Sequence, residues 1–259
     1  MTRFITLLFS LVLCLSLYTQ NNYEESVSGV NIKMIYVEGG TFTMGCTSEQ
    51  GDDCRENEKP AHKVSLSGFY IGKYPVTNQE FEAVMGSSPS RIKGCPDCPV
   101  ENVNWFEAQE FIEKLNEITG KKYRLPTEAE WEYSARGGVS ATINNRQSYK
   151  YSGSNNIDEV AWYQSSKESR INPVGLKKPN KPGIYDMSGN VWEWCSDWYG
   201  EYTPKPKTNP TGVERSRFKV LRGGSWIVTE NNCRVSARHR YFPNTKTYDF
   251  GFRIASDAK

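Results

Sequence analysis

The chain has 259 residues, 37% hydrophobic and 13% aromatic, and its 32 basic and 30 acidic residues leave a formal net charge of +2. Basic and acidic side chains are interleaved along it, which excludes the electrostatic footprint of a nucleic-acid-binding protein. Low apolar content with abundant Gly, Tyr and Trp points to a loop-rich fold carried by scattered aromatics.

Met1-Thr2-Arg3 followed by the apolar run Phe4 to Leu17 has a basic start and a core too short to span a bilayer comfortably. Residues 1–20 therefore read as an export signal, with cleavage expected between Tyr18 and Asn22. Lipidation at Cys14 is disfavoured because Leu13 stands where a small residue is required, and an uncleaved tether is the other alternative. Residues 21–31 are polar and read as a linker, leaving 32–259 as one folded domain.

Lys33 to Met44 alternates apolar and polar residues across Gly39-Gly40, which predicts a β-hairpin. Lys63 to Tyr74 is strand-like, interrupted by glycines. Thr77 caps a helix over Asn78 to Met85 with Phe81, Val84 and Met85 inward, and Gly86 stops it. Trp105, Ala108, Phe111, Ile112, Leu115 and Ile118 have the spacing of one apolar helix face, ended by Gly120. Thr127 with Glu130 forms a capping box for a further helix, with Trp131 and Ala135 toward the core and Gly137-Gly138 beyond. From Val139 to Pro182 the pattern weakens, and so long an irregular stretch needs something to pin it. Pro204 to Pro210 reads as a surface loop, Phe218 to Arg222 as a strand, and Phe250 to Ile254 as the closing element.

After Cys14, the cysteines are Cys46, Cys54, Cys95, Cys98, Cys195 and Cys233, an even set that favours disulfides in an exported chain. Cys46–Cys54 and Cys95–Cys98 are local pairs, which leaves Cys195 to meet Cys233. Zinc is disfavoured because His62 and His239 lie far apart, and a redox C-x-x-C because Pro99-Val100-Glu101 indicates a loop. The pin is expected in Gly183 to Trp198. There Asp186, the carbonyls of Gly189 and Val191, and Glu193 supply hard oxygens suited to calcium. The competing reading is a buried aromatic hairpin whose carboxylates cap backbone amides.

The ordered blocks V-E-G-G-T-F-T-M-G, F-Y-I-G-K-Y-P-V-T-N, P-V-E-N-V-N-W, Y-R-L-P-T-E-A-E-W-E-Y-S-A-R-G-G, G-I-Y-D-M-S-G-N-V-W-E-W, R-G-G-S-W and G-F-R resemble the formylglycine-generating-enzyme, or sulfatase-modifying-factor, family from Met34 to Ile254. The resemblance implies an α/β (α+β) fold, a divergent C-type-lectin-like single domain rich in loops. It also implies a calcium site on Asp186, Gly189, Val191 and Glu193, with a second near Asn156 to Tyr163, and a pocket containing Trp192 and Ser225. The family's enzymes oxidise a cysteine of a sulfatase peptide to formylglycine with O₂ and a copper ion held by two cysteines. Counting from Gly223-Gly-Ser-Trp226, the first of these falls on Val228 and the second on Cys233. Counting back from Arg234, Cys233 falls on a non-catalytic position. The pair is broken either way, so copper is not expected.

Three functions compete. A binding module would present Trp192, Arg234, Arg238, His239, Arg240, Tyr241, Phe242 and Tyr248 to a peptide, glycan or partner protein. A maturation factor of altered chemistry lacks the additional histidines of an iron site. A formylglycine generator would rely on Cys233 with Ser225 and Trp192. The first is preferred, in the periplasm or at the cell surface, with nucleic acid excluded and membrane contact only through the N-terminus.

Overall fold

The computed structural model describes residues 21–139, 148–166 and 170–258, so the expected export signal and Cys14 lie outside them. The linker expected over 21–31 is instead largely strand. Tyr23–Val27 is β1, turned by Ser28 and Gly29 at positive φ (49° and 84°) into β2, Val30–Val37. Tyr23 fastens this polar strand: its ring meets Tyr70 edge-on at 4.9 Å and its hydroxyl donates to Tyr123 at 3.2 Å.

The hairpin predicted across Gly39-Gly40 does not form, because β2 and β3 (Gly40–Met44) belong to different sheets. At Gly39 the chain crosses between them against the Leu66 to Gly68 backbone, where an added Cβ would lie 2.6 Å from the Leu66 carbonyl oxygen. The remaining strands are β4 (His62–Leu66), β5 (Phe69–Gly72), β6 (Tyr123–Arg124), β7 (Trp192–Trp198), β8 (Lys207–Thr208), β9 (Lys219–Arg222), β10 (Arg238–Tyr241), β11 (Phe250–Phe252) and β12 (Ala255–Asp257). They form sheets ordered β1-β2-β5-β12-β6, β10-β9-β7-β11 and β3-β4-β8. Pairing is antiparallel except for β7 with β11 and β4 with β8.

Three helices begin with the same device. In α1 (Asn78–Met85), α2 (Trp105–Thr119) and α3 (Glu128–Ala135), the capping side chains Thr77, Asn104 and Thr127 accept from the amides of Glu80, Glu107 and Glu130, whose carboxylates reach back to the cap. Gly86 and Gly120 end the first two in the left-handed region. α2 buries Ala108, Phe111, Ile112 and Leu115, while Ile118 at the end of the predicted face is 50% exposed. Phe111 stacks on Phe81 at 5.3 Å and meets Phe252 edge-on at 5.2 Å, so α1, α2 and β11 share one core.

α3 differs. All eight of its residues are buried, including Glu128, Glu130 and Glu132, so this short helix passes through the second core with no solvated side. Its carboxylates therefore need partners. The described parts of the long irregular stretch fasten to it: Asn180 Nδ2 donates to the Ser134 carbonyl at 2.8 Å, and Ser152 Oγ to that of Ala135 at 2.8 Å. A one-turn helix, α4 (Ile157–Val160), lies in that stretch. No helix among the described residues is long and apolar enough to cross a membrane.

Candidate functional site

β7 runs through the middle of the four-stranded sheet and carries the W-E-W block. Glu193 is fully buried and its carboxylate accepts from Arg253 Nε (2.6 Å), Arg253 Nη2 (2.7 Å) and Trp131 Nε1 (2.6 Å). Arg253, from the G-F-R block, also donates to the carbonyls of Gly72 (2.8 Å) and Tyr185 (3.0 Å). One buried guanidinium thus joins β5, β7 and the turn before β7.

Asp186 is also buried, but both its hydrogen-bond partners among the described residues are uncharged: the Gly175 amide at 2.8 Å and Asn190 Nδ2 at 3.4 Å. Burial pushes its carboxyl up to about 6, against the pull of the Gly175 amide and the Arg253 charge. A buried hard-oxygen donor of this kind fits a calcium ligand. Glu193, neutralised by Arg253, retains about one acceptor site for a further partner.

Downstream of β9, Gly223 and Gly224 take positive φ (99° and 75°), and an added Cβ on Gly224 would lie 2.6 Å from Cys233 Sγ. This turn delivers Ser225, fully buried, whose hydroxyl donates to Asp249 Oδ2 at 2.7 Å, while Thr247 Oγ1 donates to the other oxygen. Trp192, expected on the ligand face, is only 3% exposed; its amide donates to the Asp249 carbonyl at 2.8 Å and the His239 ring lies 5.0 Å away. Burial holds His239 below its ordinary pKa, with Asp249 opposing, so the ring is neutral near pH 7.

The residues do not fit a two-sulfur copper site. Val228 offers no donor and packs against hydrophobic side chains. Cys233 is fully buried, its thiol pushed up to about 12 by burial and by Glu230. Cys195 does not meet it. Cys46–Cys54 and Cys95–Cys98 are disulfides, but Cys195 and Cys233 are free thiols. The expected Cys195–Cys233 bridge fails because β7 directs Cys195 into the core around Trp131, whereas Cys233 lies with Tyr151 and Tyr163 behind the glycine turn.

The expected basic face divides in two. Arg234 is fully buried, its guanidinium on both oxygens of Glu58 at 2.8 and 2.5 Å. Arg238 is 2% exposed, held by Glu128 at 2.6 and 2.8 Å. These two are scaffold. Arg240, Tyr241, Phe242 and Tyr248 are exposed, the three aromatics at 38–42%. Arg240 lies over the rings of Tyr199 (4.5 Å) and Phe218 (5.4 Å), and Phe218 meets Phe242 at 4.7 Å. Arg217, not foreseen from the sequence, lies 5.7 Å from the Phe242 ring.

Also unforeseen is the anchoring of Arg222 from the R-G-G-S-W block. Fully buried, it donates to Glu132 and to the carbonyls of Val235 (3.0 Å), Ser236 (2.9 Å) and Ala237, which fixes the entry to β10. The legible signal was α3 itself: E-A-E-W-E-Y places acids on two opposite sides of a helix that carries Trp and Tyr.

A sheet-rich α+β chain with β7 at its centre, Glu193 on Arg253 and a glycine turn ahead of Ser225 can now be set beside known proteins. A family model described as the sulfatase-modifying factor enzyme 1-like domain matches residues 19–258, and the chain belongs to that family. It is 33% identical to chaperone protein LppX of Paenibacillus barcinonensis, over 87% of this chain and 89% of that one. To the formylglycine-generating enzyme of Streptomyces coelicolor it is 29% identical, over 85% and 88% of the two chains. The solved structure of Treponema denticola variable protein 1 superposes with a TM-score of 0.83 at 30% identity, covering 93% of this chain and all of that one. Three further relatives are longer proteins of which the chain spans 38–41%.

Proposed function

We propose that the chain is an exported, non-catalytic binding module built on the formylglycine-generating-enzyme fold. The observation that carries this reading is the broken copper pair: Val228 at one position, and a buried, protonated thiol at Cys233. Ser225 does not replace the missing sulfur, because it is fully buried and offers a hard oxygen where a soft copper site needs a thiolate. Two disulfides accord with an oxidising compartment, either a periplasm or the cell surface. The ligand surface is the exposed set Arg240, Tyr241, Phe242 and Tyr248 with Arg217, since exposed aromatics and arginines are frequent binding anchors. A relative described as a chaperone is in keeping with a protein or peptide ligand.

The test is mass spectrometry of a cysteine-containing sulfatase-type peptide incubated with the purified protein, copper and O₂. The expected result is an unchanged peptide. Loss of the thiol with gain of an aldehyde would overturn the reading and return Cys233 to catalysis.

Calcium belongs to the same proposal as a structural ion. Asp186 would hold it with the carbonyls of Gly189 and Val191 and the remaining acceptor site of Glu193, supplying the positive charge that Asp186 lacks.

A further inference from the structure

The four-stranded sheet ends on β10, which pairs, among the described residues, with β9 alone. Beyond those pairings, no backbone hydrogen bond of His239, Arg240 or Tyr241 is found among the described residues. The opposite edge is closed: on β11 the Phe252 carbonyl accepts from the Val76 amide at 2.9 Å. An open edge is a template for another strand and is normally blunted by lysine, proline, a bulge or a covering loop. The open stretch of β10 has no lysine or proline; it is short, its exposed charge is Arg240, and the neighbouring loop reaches only as far as the Arg238 carbonyl, through Asn57 Nδ2 at 3.5 Å.

Side chains on the edge are sorted by the alternation of the strand. Arg238 and Arg240 share one face, both 4.5 Å from the Tyr199 ring, and Arg240 continues it toward Phe218, Phe242 and Arg217. His239 and Tyr241 share the other face, 6.0 Å apart, with Trp192 behind His239 and Phe250 beside Tyr241 at 5.5 Å. The buried arginines 222, 234, 238 and 253 each hold a carboxylate, whereas Arg217 and Arg240 meet none within salt-bridge distance among the described residues. One face of the edge is thus cationic and the other aromatic.

We propose that the free edge of β10 docks an extended acidic peptide segment of a partner protein, which adds as a fifth strand with carboxylates toward Arg240 and Arg217 and apolar residues toward Tyr241. Backbone pairing supplies affinity, and the two-faced edge supplies the preference for alternating acidic and apolar residues. This names the ligand class of the binding-module reading and rests on it.

The test is selection of a random peptide library displayed on phage against the protein, followed by fluorescence anisotropy of enriched peptides and amide hydrogen exchange. Enriched peptides are expected to alternate Asp or Glu with apolar residues. Arg240→Glu should weaken them about tenfold or more, peptides N-methylated on alternate backbone nitrogens should lose binding, and bound peptide should protect β10 amides. Neutral or basic enriched sequences, binding indifferent to Arg240→Glu, unprotected β10 amides, or no enrichment at all would each overturn the proposal. A glycan ligand found instead on Tyr241 and Phe242 would sink it while leaving the binding module standing. The binding-module reading itself fails separately, through aldehyde formation.

Discussion

Arg238 and Arg240 lie two residues apart on one face of one strand, at the same 4.5 Å from the Tyr199 ring, yet they have opposite fates. Arg238 is gripped through Nε and Nη2 by Glu128, and its planar fork also donates to the carbonyls of Asn57 and Gly200 at 2.9 and 3.1 Å. Arg240 meets aromatic rings and, among the described residues, no carboxylate within salt-bridge distance. The difference comes from α3, which delivers Glu128 to one of them from a distant part of the sequence. Whether an arginine belongs to scaffold or ligand surface is decided by where a buried carboxylate arrives, not by its own neighbours.

The sharpest way to break the comparison is to strand a scaffold arginine. Glu132 accepts from Arg222, from Arg136 Nε at 2.8 Å and from the Gly45 amide at 2.8 Å, all in the core. Glu132→Gln should lower stability by about 3–5 kcal/mol, because the buried Arg222 guanidinium loses its closer carboxylate and keeps the more distant Glu128 at 3.7 Å. Denaturant titration measures this, and the double variant with Arg222→Met should regain part of the loss. A neutral effect of the single variant would show that water reaches the pair.

Calcium separates the two carboxylates of the central block. Glu193 is neutralised by the chain, and Asp186 is not. A melt at about a hundredfold excess over the dissociation constant should gain about 2.7 kcal/mol relative to chelator. No shift at any calcium concentration removes the ion, and Asp186→Asn should then be neutral or stabilising.

A third contrast is pH. Burial, aided by the Glu128 charge, pushes Asp197 up to about 7, whereas Glu128, raised by burial, is pulled below its ordinary value by Arg238 and Arg222. For Asp197 the folded state holds its proton more tightly than the unfolded chain, so its contribution is full below about pH 4 and is lost as pH rises through about 7. For Glu128 the sign reverses: its contribution is present above the ordinary carboxylate range and is lost as pH falls through its depressed pKa. Asp197→Asn should therefore gain in melting temperature over the parent between about pH 5 and about pH 8. An offset that does not change with pH would contradict the assignment.

The smallest structural effect and a clear chemical one concern the thiols. Alkylation of the unfolded, unreduced protein should label Cys195 and Cys233 and leave Cys46, Cys54, Cys95 and Cys98 blocked. A protected Cys195 would restore the bridge expected from cysteine number alone.

Local chemistry was readable in the sequence. The cap at Thr77 and the capping box at Thr127, the stops at Gly86 and Gly120 and the two short disulfide loops each depend on residues within one turn or loop. The family blocks were readable too, although the ion pair that ties two of them together, Arg253 on Glu193, was not. What failed is non-local. Gly39-Gly40 looks like a hairpin turn unless the passing Leu66 backbone is known, and Cys195 and Cys233 look like a pair unless their separate cores are known. The pairings of Arg234 with Glu58 and Arg238 with Glu128 likewise leave no mark at the arginines.

The most direct measurement is a pair of thermal melts, Arg238→Ala beside Arg240→Ala, each with far-UV circular dichroism at the start. Arg238→Ala is expected to lose about 3–5 kcal/mol as the buried Glu128 loses its two-pronged partner and keeps Arg222 at 3.7 Å. Arg240→Ala is expected to lose less than about 1 kcal/mol, the value of an exposed cation–π contact. Equal losses, or a larger one at Arg240, would contradict the division of this strand into scaffold and ligand surface.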